Sequence, residues 1–126
     1  MNNPLEKLDL GIGMLELYDC FAIGYINPNI DFSDSERKIF LDACLAHFRE
    51  KPFGYISVRN NAYSINPIIY INLNKVENLK AFAIVAFSEI GKGNAKIEGQ
   101  FFKNAFKIFD NKKEAMVWMK KTIENS

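Results

Sequence analysis

The stretch PIIYINLNKVEN (Pro67–Asn78) fits two secondary structures, and the choice between them decides the fold. Ile69, Ile71 and Leu73 alternate as strand residues do, whereas Ile69, Leu73 and Val76 keep helical spacing. The β-branched content favours a strand. Asn66 followed by Pro67 favours a helix start, because an asparagine side chain can accept an amide of the first turn and a proline there leaves no N–H unpaired. The flanking segments weigh in as well: if they are parallel strands, the chain must cross over between them, most often through a helix. A helix over 67–78 is therefore expected.

Working outward, FGYISV (Phe53–Val58) and AFAIVAF (Ala81–Phe87) are the two strands that this helix would connect. The second is apolar on both faces, as a central strand covered above and below must be. Upstream, SDSERKIFLDACLAHFREKP (Ser33–Pro52) opens with Ser33 three residues before Glu36, the spacing of a capping box. Ile39, Phe40, Ala43, Cys44, His47 and Phe48 then recur at helical spacing until Pro52 stops the run. Nearer the start, Leu8, Leu10, Ile12 and Met14 alternate and shift phase to Leu15 and Leu17, which reads as one strand kinked at Gly11 or Gly13. After Tyr18-Asp19, CFAIGYI completes an antiparallel hairpin.

Downstream, SEIGKGNAK places Gly91 and Gly93 in a turn before a short helix containing Ile97, Phe101 and Phe102. AFKIF (Ala105–Phe109) is the last strand. Asp110 is expected to cap a final helix whose apolar face is Ala115, Trp118, Met119 and Ile123. The order predicts an α/β domain: a mixed, mostly parallel sheet of about five strands with an N-terminal antiparallel hairpin and about four helices.

The 126 residues suffice for one core, and 48% hydrophobic with 25% charged residues is the composition of an ordinary globular chain. A net charge of +1 without a long basic block gives no electrostatic footprint for nucleic acid. Lys112-Lys113 and Lys120-Lys121 read as the solvated face of one helix. The N-terminus lacks the basic start and apolar stretch of a secretory signal, and the longest clean apolar run is too short to cross a bilayer. These features predict a cytoplasmic protein with no integral membrane association. Cys20 and Cys44 form neither a zinc motif nor a CxxC pair, so reduced, packed thiols are expected.

Four segments together span nearly the whole chain and carry a family resemblance: GMLELYDCFAIGYIN, GYISVRNNAYSINP, LKAFAIVAFSEIGKGNAKIEGQFFK and IFDNKKEAMVWM. In them the chain resembles the small bacterial STAS-like, SpoIIAA-like proteins, related to the anti-sigma-factor antagonists and more distantly to CRAL-TRIO lipid-binding domains. The resemblance implies a single STAS-like domain over residues 1–126 with a non-enzymatic role. In the antagonists a serine in an Asp-Ser-Ser-Gly turn after a central strand is phosphorylated. The corresponding turn here reads RNNAYSINP, without that motif, and makes Ser64 the candidate phosphoacceptor.

Loops and helix N-termini converge outside the carboxyl ends of parallel strands, which is where open α/β sheets bind ligands. Arg59, Asn60, Tyr63, Ser64, Glu89 and Lys92 are expected to share that rim and to recognise a protein partner or a small ligand. The alternative is a small carrier whose Phe-rich helices enclose an apolar or lipid-like molecule. The GKGNAK segment lacks the third glycine of a dinucleotide fingerprint and is no nucleotide-triphosphate loop. His47, the one histidine, is near Cys44 on the first helix, where packing is expected rather than nucleophilic chemistry. No catalytic residue, metal ligand or cofactor is predicted.

Overall fold

The computed structural model describes residues 3–28, 30–60 and 65–126. Ten elements follow in order: β1 (Glu6–Asp9), β2 (Gly13–Leu17), β3 (Phe21–Ile26), α1 (Asp34–Phe48), β4 (Phe53–Arg59), α2 (Ile68–Leu73), β5 (Leu79–Ala86), α3 (Glu89–Gly99), β6 (Ala105–Phe109) and α4 (Lys112–Glu124). The predicted fold class holds, with one strand more than expected. The extra strand comes from the segment read as a single kinked strand. Gly11 adopts φ +83°, a conformation open to glycine at little cost, and turns the chain back so that β1 pairs antiparallel with β2. The shift of phase in the sequence was thus a reversal rather than a bulge.

The six strands lie in sequential order, β1-β2-β3-β4-β5-β6. β1, β2 and β3 are antiparallel to their neighbours in turn, and β3 to β6 are all parallel. Each crossover from β3 to β6 steps in the same direction across the sheet. Because such crossovers are right-handed, their helices must all fall on one face. Phe40, Cys44 and Phe48 of α1, Ile69, Tyr70 and Leu73 of α2 and Ala95 of α3 accordingly share one core with Leu15, Phe53, Phe82 and Ile84 of the sheet.

The opposite face has only α4. Ala115, Met119 and Ile123 pack there on Ile23, Ile56, Ala81, Ala83 and Val85. Gly54 lets that helix sit close, since a Cβ at this position would lie 2.0 Å from the Met119 sulfur. Alternation along β4 and β5 sends consecutive side chains into the two cores, which is why AFAIVAF is apolar throughout.

Local signals account for most helix boundaries. The Glu36 carboxylate accepts the Ser33 amide at 2.8 Å, one half of the expected capping box, while the Ser33 hydroxyl also turns to that carboxylate. These bonds hold the Glu36 carboxyl below its ordinary range. The ambiguous segment is helical, but only over Ile68–Leu73. Pro67 has helical dihedrals (φ −57°, ψ −20°), and the Asn66 side chain accepts the Ile68 amide at 3.0 Å. The helix stops where Asn74 turns aside: its amide group donates to the Phe101 carbonyl and its oxygen accepts the Lys103 N–H.

Three expectations are corrected, the first being the extent of α3, which closes at Gly99 and leaves Phe101 and Phe102 in the connection to β6. Asn111, not Asp110, caps α4, accepting the Glu114 amide at 2.9 Å. Gly91 and Gly93 lie inside α3 rather than in a turn before it, because Ser88 caps the helix earlier by accepting the Gly91 N–H at 3.0 Å. A helical glycine costs about 1 kcal/mol relative to alanine. A Cβ at Gly93 would meet open space, whereas one at Gly91 would lie 3.1 Å from the capping Ser88 hydroxyl. Gly93→Ala should therefore raise stability in urea denaturation by about 0.5–1 kcal/mol, and Gly91→Ala should gain less or lose.

Candidate functional site

Arg59 ends β4, Ala86 ends β5 and Phe109 ends β6, with Arg59 in register with Ala86 and Val85 with Phe109. Their carboxyl ends consequently form one edge, and the residues that follow them share it. Asn60 is exposed just beyond Arg59, and Glu89 is exposed in the first turn of α3. The Lys92 ammonium bonds the Asp110 carboxylate at 2.5 Å, joining α3 to the end of β6, and reaches the outer Glu89 carboxylate at 4.0 Å. The Asp110 bond, with the two carboxylates nearby, raises the lysine pKa. Tyr63 and Ser64, with Asn61, lie outside the described residues.

Arg59 has a different place from its neighbours. It is only 5% exposed, and its guanidinium donates to both carboxylate oxygens of Glu98, Nη1 at 2.8 Å and Nη2 at 2.9 Å. Its Nε donates to the Ser57 hydroxyl at 2.9 Å. The Tyr70 hydroxyl completes the group by donating to Glu98 at 2.5 Å. Burial is the main reason that the Tyr70 phenol is driven above its ordinary pKa. These four side chains tie β4, α2 and α3 together beneath the helix layer.

Glu98, which is 2% exposed on α3, was not among the expected site residues. One signal was present: Ala95 and Glu98 lie three apart on the helix, so a glutamate falls on the buried stripe where an apolar residue belongs. A buried carboxylate requires a charged partner, and Arg59 is the cation at the end of a central strand.

Alongside this network a cavity of about 40 Å³ lies between α1, α2 and the sheet. Phe40, Cys44, Ile69, Leu73 and Phe82 make its wall apolar, and Ser57, Arg59 and Tyr70 give it a polar end. The space admits two or three water molecules. Cys44 faces it as a buried thiol pushed up to about 12 by burial, which makes it inert as a nucleophile at neutral pH. His47 points away to the Tyr18 carbonyl, 3.1 Å from its Nε2. Among the described residues no group of three or more His, Cys, Asp or Glu side chains could hold a metal ion, and no helix is long and apolar enough to cross a membrane.

The edge also carries apolar surface that the polar residues of the sequence concealed. Phe87 and Ile90, directly after β5, are 57% and 71% exposed. They belong to the same edge as Asn60, Glu89, Lys92 and Asp110, so apolar and polar surface occur there together. Comparison of the chain with protein-family models, with curated proteins and with solved structures found no match.

The network yields a sharp expectation. Removing one member of a buried pair leaves the other charge uncompensated, at a cost of about 3–5 kcal/mol. Glu98→Ala and Arg59→Ala should each lower stability in urea denaturation by about that amount. The double variant Arg59→Met/Glu98→Leu should lose less than either single change, because it buries no charge.

Proposed function

We propose that the chain is a non-enzymatic, STAS-like binding domain that recognises a protein partner at the carboxyl edge of its parallel strands. The observation that carries this reading is the exposure of Phe87 and Ile90 on that edge. Large apolar side chains in a polar surround are what binding hot spots are built from. Asn60, Glu89 and the Lys92–Asp110 pair would then supply orientation and charge matching rather than most of the affinity. Arg59 takes part indirectly: paired with Glu98, it fixes the end of β4, which Asn60 follows. Ser64 as a phosphoacceptor belongs to the same reading through the family resemblance.

Quantitative affinity capture from the source cell tests it. Wild type is compared with Phe87→Ser and Ile90→Ser, and with Ile71→Ser on α2, another exposed apolar residue, as the control. A partner retained by wild type and the control but reduced at least about tenfold by both edge variants is expected. Equal retention by all four proteins overturns the reading.

The cavity favours a second reading, a carrier of a small apolar molecule with one polar group set against Ser57, Arg59 and Tyr70. Its present volume is far below the several hundred Å³ of ordinary ligand pockets, so α1 and α2 would have to part. Native mass spectrometry of protein purified from its source distinguishes the two: the binding-domain reading expects the mass of the bare chain, and a stoichiometric adduct that Leu73→Trp abolishes would establish the carrier.

A further inference from the structure

The crossover rule that puts three helices on one face leaves the other face half covered. α4 lies over β4, β5 and β6 and shares its core with Phe21 and Ile23 of β3, whereas β1 and β2 contribute no buried residue to that core. A groove of about 1150 Å³ runs between α4 and the start of the hairpin. Lys51, Lys112, Lys113, Lys120 and Lys121 line it, against the carboxylates of Asp19 and Glu124. Five positive and two negative charges leave an excess of three, in a chain whose net charge is +1. The rest of the molecule is thus net negative, and the groove carries a net positive excess. Its apolar side chains are the 67% exposed Leu5 and the 54% exposed Val117, with Met116 half-buried.

From this surface we infer a docking groove for an acidic segment of a partner protein, one that sets carboxylates against the lysines and an apolar side chain between Leu5 and Val117. Charge complementarity selects the sign of the occupant. Shape selects its class, because a concave groove along a helix of 13 residues takes a peptide segment and meets a flat bilayer poorly. Nucleic acid is disfavoured by composition: the groove holds no arginine for bidentate phosphate contact, and its aromatic residues, Tyr18 and Phe21, are buried and cannot stack on bases. The Tyr25 hydroxyl accepts a hydrogen bond from Lys112 at 3.0 Å and donates one to Glu16, which fixes the end of the groove that lies nearest the strand edge. This surface is separate from the Phe87–Ile90 edge, so its success or failure does not depend on that site.

Fluorescence anisotropy with the full chain tests the inference, using a labelled peptide with glutamate and leucine at helical spacing and a counterpart with lysine for glutamate. Binding of the acidic peptide alone is expected, weakening as salt is raised. Lys113→Glu/Lys120→Glu should weaken it at least about tenfold, and Val117→Ser should weaken it by a smaller factor, with thermal midpoints unchanged. Equal binding by the double variant overturns the proposal, as does failure of the acidic peptide to bind at low salt. So does preference for phosphatidylserine vesicles or single-stranded RNA over the peptide, or a concentration-dependent dimer in sedimentation that the double variant abolishes, which would give the groove to a second copy of the chain.

Discussion

The handedness of the strand crossovers governs this structure. β3, α1, β4, α2, β5, α3 and β6 wind in one direction, and a right-handed connection repeated in one direction cannot change faces. Three helices therefore crowd one side of the sheet and one helix serves the other. The crowded side closes over a mixed core in which aromatic rings dominate: Phe48 stacks on Phe53 with centroids 4.6 Å apart, and Phe82 stacks on Phe106 at 6.0 Å. The sparse side leaves the groove beside α4.

Burial of charge follows from the same asymmetry. Under a three-helix layer the end of β4 is withdrawn from bulk solvent, so Arg59 there needs acceptors from the protein. Glu98 from α3 supplies two oxygens and Ser57 a third. Tyr70 of α2 satisfies the carboxylate from the other side. A network of this kind is a weak source of stability in itself, but it penalises every arrangement in which the helices are out of register with the strand. It thereby sets the edge on which Phe87, Ile90 and the Lys92–Asp110 pair stand.

The two candidate surfaces differ in what makes them suitable for binding. At the strand edge the apolar residues lie on the segment that leaves β5 and enters α3, whose start is held by Ser88 and by the Lys92–Asp110 pair, so the surface is preorganised. In the groove the lysines have long, flexible side chains, and four of the five stand on α4. Such a surface attracts by field rather than by fit, and its affinity would fall with salt where that of the edge would persist.

The sequence by itself determined the element types and their order, because those depend on local signals: the Ser33–Glu36 spacing, Asn66-Pro67, the double-faced apolar run of β5 and the apolar spacing of α4. It also marked the edge, since strand direction follows once the intervening segments are helices. It did not separate β1 from β2, because a turn at Gly11 and a bulge leave the same shift in alternation. It did not tell that Arg59 faces inward while Asn60 faces out, nor that Phe87, at the end of a run that looked like core, and Ile90, in the segment after it, are uncovered. Those outcomes belong to tertiary structure alone, because whether a side chain is buried depends on which remote helix covers it: Glu98 is 39 positions from Arg59, and only the packing of α3 on the sheet brings the two charges together.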